Sequence, residues 1–144
     1  MSKESEWWTS PTESEDGRLI MVTGRRDISR FISNPRFHIR VEISWIYDDS
    51  PDGGMPSDDI SAIMEQATDS LNEVLDKDPV AVMTGIYTGA GRRDWVFYTL
   101  STNIFTKKLN QALSELPLLP LQIYAENDPR WAEYAEMKEI SEIS

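Results

Sequence analysis

Hydrophobic and polar residues alternate most clearly in FHIRVEISWIY, Phe37 to Tyr47. Phe37, Ile39, Val41, Ile43 and Trp45 fall on one side of an extended chain, with His38, Arg40, Glu42 and Ser44 on the other. That period of two predicts a strand with one buried face. The run DDSPDGGMP that follows is made of turn residues. Beyond it the period changes. Ile60, Ile63, Met64, Ala67, Leu71, Val74 and Leu75 recur at helical spacing, which predicts an amphipathic helix. Ser57 is placed to cap it, Asp58 and Asp59 sit at the positive end of its dipole, and Pro79 ends it near Lys77.

PVAVMTGIY (79–87) and DWVFYTL (94–100) read as two strands joined by a glycine loop. Ile104, Phe105, Lys108, Leu109, Ala112, Leu113 and Leu116 predict a second amphipathic helix, and 119–125 a last strand. Upstream, RLIMVTG (Arg18 to Gly24) reads as one further strand and RDISRFISNP as a short helical turn or loop. From Phe37 onward the order is β-α-β-β-α-β, which predicts an α+β fold of ferredoxin-like type. Its antiparallel sheet would carry two helices on one face, with an extra N-terminal strand. The other face is expected to be open unless the N-terminal segment covers it. Residues 17–137 form the single domain, 1–16 an acidic arm and 138–144 a frayed tail. Trp7 and Trp8 are expected to tuck against the domain, because such rings rarely stay in water.

With 144 residues, 40% of them hydrophobic, the chain suits one folded domain. It has no cysteine, which excludes disulfides, thiolate metal sites and cysteine nucleophiles and fits a reducing cytoplasm. The N-terminus lacks the apolar core of a signal peptide, and no apolar run reaches the ~20 residues needed to span a bilayer. A soluble cytoplasmic protein with no membrane contact is therefore expected. The net charge of -11 repels phosphate backbones, so no direct nucleic-acid binding is expected. The charge is uneven. Residues 17–40 hold Arg18, Arg25, Arg26, Arg30, Arg36 and Arg40 against Asp27 alone, whereas Lys77 is the one base in the acid-rich segment 41–90.

TGAGRRDWVFY, Thr88 to Tyr98, looks most like a site, but its glycines lack the GxGxxG spacing. It joins two strands, so no helix N-terminus aims amides at a phosphate. Hairpin-turn glycines explain it, leaving Arg92 and Arg93, beside Trp95, either to hold an anion or to pair with acidic neighbours. A second GRRD at Gly24 to Asp27 adds Arg25 and Arg26; at the same end of the sheet, the four arginines would make one anion-binding patch.

Asp48, Ser50, Asp52 and Asp59 match some positions of a calcium loop. A strand enters that loop, however, and the last ligand is Asp rather than Glu, so no metal is expected. The single histidine, His38, lies four strand residues, about 13 Å, from Glu42, too far for a triad hydrogen bond. No catalytic residue and no cofactor are expected. In DPRWAEY, Asp128 is placed to cap a helical turn with Pro129 at its first position. Trp131 and Tyr134 then share a face, as a lid on the sheet or as an aromatic binding ledge.

The strand IRVEISWIY with GGMP and an acidic helix, then TGAGRRDWVFYT, then LNQALSELPLLPLQIYAENDPRWAEY, together resemble a bacterial family known as domain of unknown function family 695. The resemblance runs through about residues 17–137 in the same order. It implies an α+β domain of this strand order and transfers no activity or catalytic residue. A more distant likeness, in fold and acidity, is to the small acidic regulators that inhibit a bacterial ribonuclease. The functional expectation is a non-enzymatic protein-binding or regulatory module whose acidic surface meets a basic protein such as a nuclease or toxin. Asp58, Asp59, Glu65, Asp69, Glu73 and Asp76 would form that surface. The alternative is a small-molecule or anion-binding domain, or weak hydrolase, using the arginine-bearing hairpin. The sequence does not specify an oligomeric state.

Overall fold

The chain runs β1 (Trp7–Glu13), β2 (Leu19–Arg25), α1 (Ser29–Ile32), β3 (Ile39–Ile46), α2 (Asp58–Lys77), β4 (Ala81–Gly89), β5 (Arg92–Thr99), α3 (Thr102–Ala112), β6 (Leu121–Asn127) and α4 (Ala132–Ile143). The computed structural model describes residues 7–26, 28–50 and 52–143, apart from the side chains of residues 76 and 141–143. Among these residues the strands form one sheet in the order β1-β2-β4-β5-β3-β6. Each neighbouring pair is antiparallel. The fold is α+β. β3 and β4, joined by α2, lie on either side of β5, so the long connection leaves room for a strand to be inserted between them.

The first face of the sheet is the one the period-two pattern anticipates from Ile39 to Trp45, whereas Phe37, read as part of the same stripe, precedes β3 and packs in the second-face cluster. Val41, Ile43 and Trp45 of β3, Met83 of β4, and Trp95 and Phe97 of β5 pack on α2 and α3. From the helices come Met64, Ala67, Leu71 and Leu75, then Phe105 and Leu109, with the Phe97 and Phe105 rings 4.9 Å apart. Burying each large side chain contributes about 1.5–3 kcal/mol. Both helices begin on a serine cap: Ser57 Oγ accepts from the Ile60 N–H and Ser101 Oγ from the Ile104 N–H, each at 3.3 Å.

The second face departs from expectation. It is not left open: α4 lies on part of it, bringing Trp131, Tyr134 and Met137 onto Trp8, Val22, Phe37, Val82 and Tyr98. The segment read as a frayed tail therefore belongs to a helix that reaches Ile143. The reading of residues 1–16 as a loose arm is likewise corrected. Trp7–Glu13 is an edge strand paired with β2 along its length, so two strands, not one, precede β3. Two glycines make the close packing on this face feasible. A Cβ on Gly24 would strike the Trp8 indole, and one on Gly85 would strike the Met137 sulfur.

Candidate functional site

Gly89 pairs with Arg92, so Ala90 and Gly91 alone make the β4–β5 turn, with φ of 53° and 83°. Two positive φ values in a two-residue loop match the twist of the flanking strands. The tip does not project into solvent. Gly91 N–H donates to Gly54 O at 2.9 Å, and Gly91 O accepts from the N–H groups of Tyr47 (2.9 Å) and Asp48 (3.1 Å). The glycine hairpin and the DDSPDGGMP turn are thus one interlocked structure at this end of the sheet.

Arg92 and Arg93 fall on opposite faces, as neighbours on a strand must. On the second face Arg92 meets Asp94 at 2.8 Å and Glu42 at 3.5 Å and donates to Ser44 Oγ at 2.9 Å. The hydrogen bond to Asp94 is the main cause that holds its guanidinium above the usual range. On the first face Arg93 donates to Thr88 Oγ1 at 2.8 Å and lies 5.7 Å from the Trp95 ring centre. Burial pushes its pKa down. Trp95 is 1% exposed, its indole N–H donating to Thr68 Oγ1 at 2.8 Å, so it is part of the core.

The second GRRD copy is elsewhere. Ile20 pairs with Gly89 but Gly24 with Gly85, so Arg25, the last residue of β2, and Arg26 lie at the end away from the hairpin. The four arginines do not form one patch. Arg25 lies 5.4 Å over the Trp7 ring, Arg26 is exposed, and Asp27 falls outside the described residues.

The uncovered part of the second face carries a network of paired charges. Arg40, 6% exposed, bonds Glu126 at 2.8 Å and Glu42 at 3.0 Å. Burial opposes its charge, but the hydrogen bonds to Glu42 and Glu126 outweigh that and keep it firmly protonated. These contacts tie β3 to β6, and Arg92 with Asp94 extends the network to β5. Next to it, burial raises the pKa of Glu133 on α4.

Asp128 opens α4. Its carboxylate accepts from the N–H groups of Ala132 (3.0 Å) and Glu133 (3.1 Å) and from Tyr98 Oη at 2.6 Å. Trp131, 2% exposed, stacks on Tyr98 with centres 3.9 Å apart and donates its indole N–H to Phe37 O at 2.8 Å. Tyr134, 5% exposed, donates to Arg25 O. Neither ring offers a surface to a ligand; the DPRWAEY cluster pins α4 to the sheet. His38 Nδ1 lies 2.8 Å from Asn127 Oδ1, joining β6 to the chain before β3. Asp48 Oδ1 accepts from Ser50 N–H at 3.1 Å and Ser50 Oγ at 2.6 Å, and among the described residues no three carboxylate or histidine side chains come close enough to hold a metal ion.

The outer side of the helix layer carries a further cluster of charge. Glu65, Asp69 and Glu73 succeed one another every four residues along α2, opposite the buried stripe of Met64, Ala67, Leu71 and Leu75. Between α2 and the end of α3 runs a groove of about 560 Å³, lined by Asp69, Glu73 and Glu115, by polar side chains such as Gln66 and Gln111, and by Val74 and Leu116. Glu73 pairs with Lys77 at 3.2 Å, while among the described residues Asp69 and Glu115 make no ion pair. Asp58 and Asp59 lie at the N-terminus of α2, and the side chain of Asp76 falls outside the described residues. Glu115, absent from the sequence-based candidates, comes from the turn after α3, which only the packing of the two helices brings to α2.

The chain matches the model of the Family of unknown function (DUF695) over residues 6–137. The chain belongs to that family. The match spans all six strands and reaches Met137, so the cover that α4 places on the second face lies within the family's domain. No curated protein and no solved structure matches the chain. Among the described residues no helix is long and apolar enough to cross a membrane.

Proposed function

We propose that this member of the family is a non-enzymatic, cytoplasmic protein-binding module that takes a basic partner along the α2–α3 groove. We read its β4-β5-β3-β6 portion with α2 and α3 as the ferredoxin-like arrangement, widened by β1 and β2. The supporting observation is the acid stripe of Glu65, Asp69 and Glu73, joined by Glu115 across a mostly polar groove. Like charges four residues apart on a helix destabilise it by about 0.2–0.5 kcal/mol per pair. A stripe that costs stability in the free chain gains it back when a cationic surface neutralises it, and the same charges speed the encounter. The half-buried Val74 and Leu116 in its lining supply the short-range contact.

The test is calorimetric titration with a synthetic amphipathic helix carrying lysine on one face. Binding should weaken with salt, vanish in D69N/E73Q/E115Q and survive in R92Q/R93Q. Equal binding by the neutralised variant, or none by the native chain, overturns the reading. Affinity capture with the two variants would then identify the natural partner.

A further inference from the structure

The two edges of the sheet are built differently. At one edge β1 carries Pro11, which has no N–H to offer a further strand. Edge strands are commonly blunted in this way, or by lysine, against pairing with other chains. At the other edge β6, LQIYAEN, holds neither proline nor lysine. Its one charged side chain, Glu126, is already met by Arg40 at 2.8 Å and by the Tyr124 hydroxyl at 3.1 Å.

The ladder fixes where the main-chain groups of β6 point. Asp128 N–H donates to His38 O at 2.7 Å, continuing a register that pairs Ile39 with Asn127. In an antiparallel ladder, opposed residues alternate between bonded and unbonded pairs. Glu126, Tyr124 and Gln122 therefore bond to β3, while the N–H and C=O groups of Ile123 and Ala125 point away from the sheet. Both residues are exposed, Ile123 at 50%. Beside them lies a groove of about 440 Å³, walled by Leu109 and Leu113 on one side and by Leu118, Leu121 and Ile123 on the other. No charged residue lines it.

We infer that β6 pairs with β6 of a second copy of this chain, antiparallel, about a two-fold axis at Ile123. The strand is its own complement in that register. Each Ile123 N–H meets the other copy's Ile123 O, and each Ala125 N–H the other copy's Leu121 O. On the helix side of the sheet Ile123 meets Ile123 and Leu121 meets Ala125, which joins the uncharged grooves of the two copies across the axis. On the other side Tyr124 lies against Gln122. Glu126 falls opposite Pro120, so the two Glu126 carboxylates stay about 20 Å apart, beyond the screening length of ~8 Å in physiological salt. Charge favours this occupant. Two copies of a chain of net charge -11 repel one another at long range, and this edge lets them touch without setting like charges face to face. A basic partner, by contrast, would find no unpaired carboxylate on it.

Sedimentation equilibrium of the full chain should show a dimer, at twice the 16.5 kDa of one chain, with a dissociation constant below about 1 mM. The dimer should tighten between about 50 mM and about 500 mM salt as screening relieves the repulsion, the reverse of the response expected for the lysine-bearing helix. In hydrogen exchange, the amides of Ile123 and Ala125 should gain protection as the protein concentration rises. Ile123→Lys sets two ammonium groups face to face at the axis and should weaken the dimer about tenfold or more. Ala125→Pro removes an outward N–H, leaves the bonds to β3 in place and should weaken it similarly. If Ala125→Pro fails to fold, Ile123→Lys and amide exchange in the native chain decide. A chain that is monomeric at about 1 mM, a dimer whose Ile123 and Ala125 amides exchange freely, a dimer that salt dissociates, or native affinity in the folded variants would overturn the inference. Protection gained only on adding an uncharged extended peptide, such as alternating valine and threonine, would give the edge to a different protein and overturn it too.

Discussion

The α-carbon of Gly91 lies so close to the carbonyl oxygen of Asp48 that a Cβ built there would collide with it. The two residues belong to different loops, and their contact, with the hydrogen bonds from Tyr47 and Asp48 to Gly91 O, locks the β4–β5 hairpin to the turn after β3. Gly91→Ala must also hold φ near 83°. Collision and strained backbone together should cost about 2–4 kcal/mol, measured by urea denaturation. Ala90→Gly, at φ 53° in the same turn, should change stability by less than about 1 kcal/mol.

Gly24 and Trp8 are paired in the same sense across β1 and β2. Gly24→Ala should displace the indole and destabilise the fold by about 1–3 kcal/mol. A double-mutant cycle with Trp8→Ala should show strong coupling, because once the ring is gone the methyl group has space. Additive effects would mean that the ring is not what Gly24 accommodates.

Arg40 is the buried centre of the second-face network. Arg40→Met should cost about 3 kcal/mol, since it leaves Glu42 and Glu126 facing each other without their cation. Exchange protection of β6 amides should fall most, because Arg40 ties that edge strand to β3.

Asp128 gives a pH signature. Burial opposes its charge, but hydrogen bonds from Tyr98 and from the amides of Ala132 and Glu133 outweigh that and lower its pKa. A carboxyl lowered in the folded state adds stability above its unfolded pKa, about 3.9, and loses it as pH falls through the folded value. The melting temperature of the native chain should therefore drop more steeply below about pH 4 than that of Asp128→Asn. At neutral pH the substitution should cost about 0.5–2 kcal/mol, the usual worth of an N-terminal cap.

Asp69 offers the reverse combination. Asp69→Asn removes like-charge contacts with Glu65 and Glu73 and should raise stability by about 0.4–1 kcal/mol while weakening the lysine-bearing helix. A gain of stability with binding unchanged would detach the acid stripe from function.

The parts legible in the sequence are those whose burial is written within a single element. β3 alternates because one face meets α2 and α3, and the serine caps of both helices act on the residues just after them. β1 was hidden. WWTSPTE contains a proline, which only an edge strand tolerates, and edge position follows from pairing with β2. α4 was legible only in part: DPRWAEY reads as a helical turn with Trp131 and Tyr134 as a lid on the sheet, but the helix runs on to Ile143, which depends on the second sheet face that receives Tyr134 and Met137.

The same division holds for the chemistry. By itself the sequence determined the α+β class, the turn role of the hairpin glycines, the acid stripe of α2 and the absence of cysteine chemistry, since each depends on residue type and local spacing. Tertiary structure decided that Arg92 and Arg93 meet their own neighbours, that the two GRRD copies point to opposite ends, and that Glu115 faces Asp69 and Glu73 across a groove. It also decided that Arg25 and Arg30 line one cleft with Ala81, Val82 and Met83 of β4. Those relations depend on strand order and register, which link residues dozens of positions apart, and no local pattern encodes them.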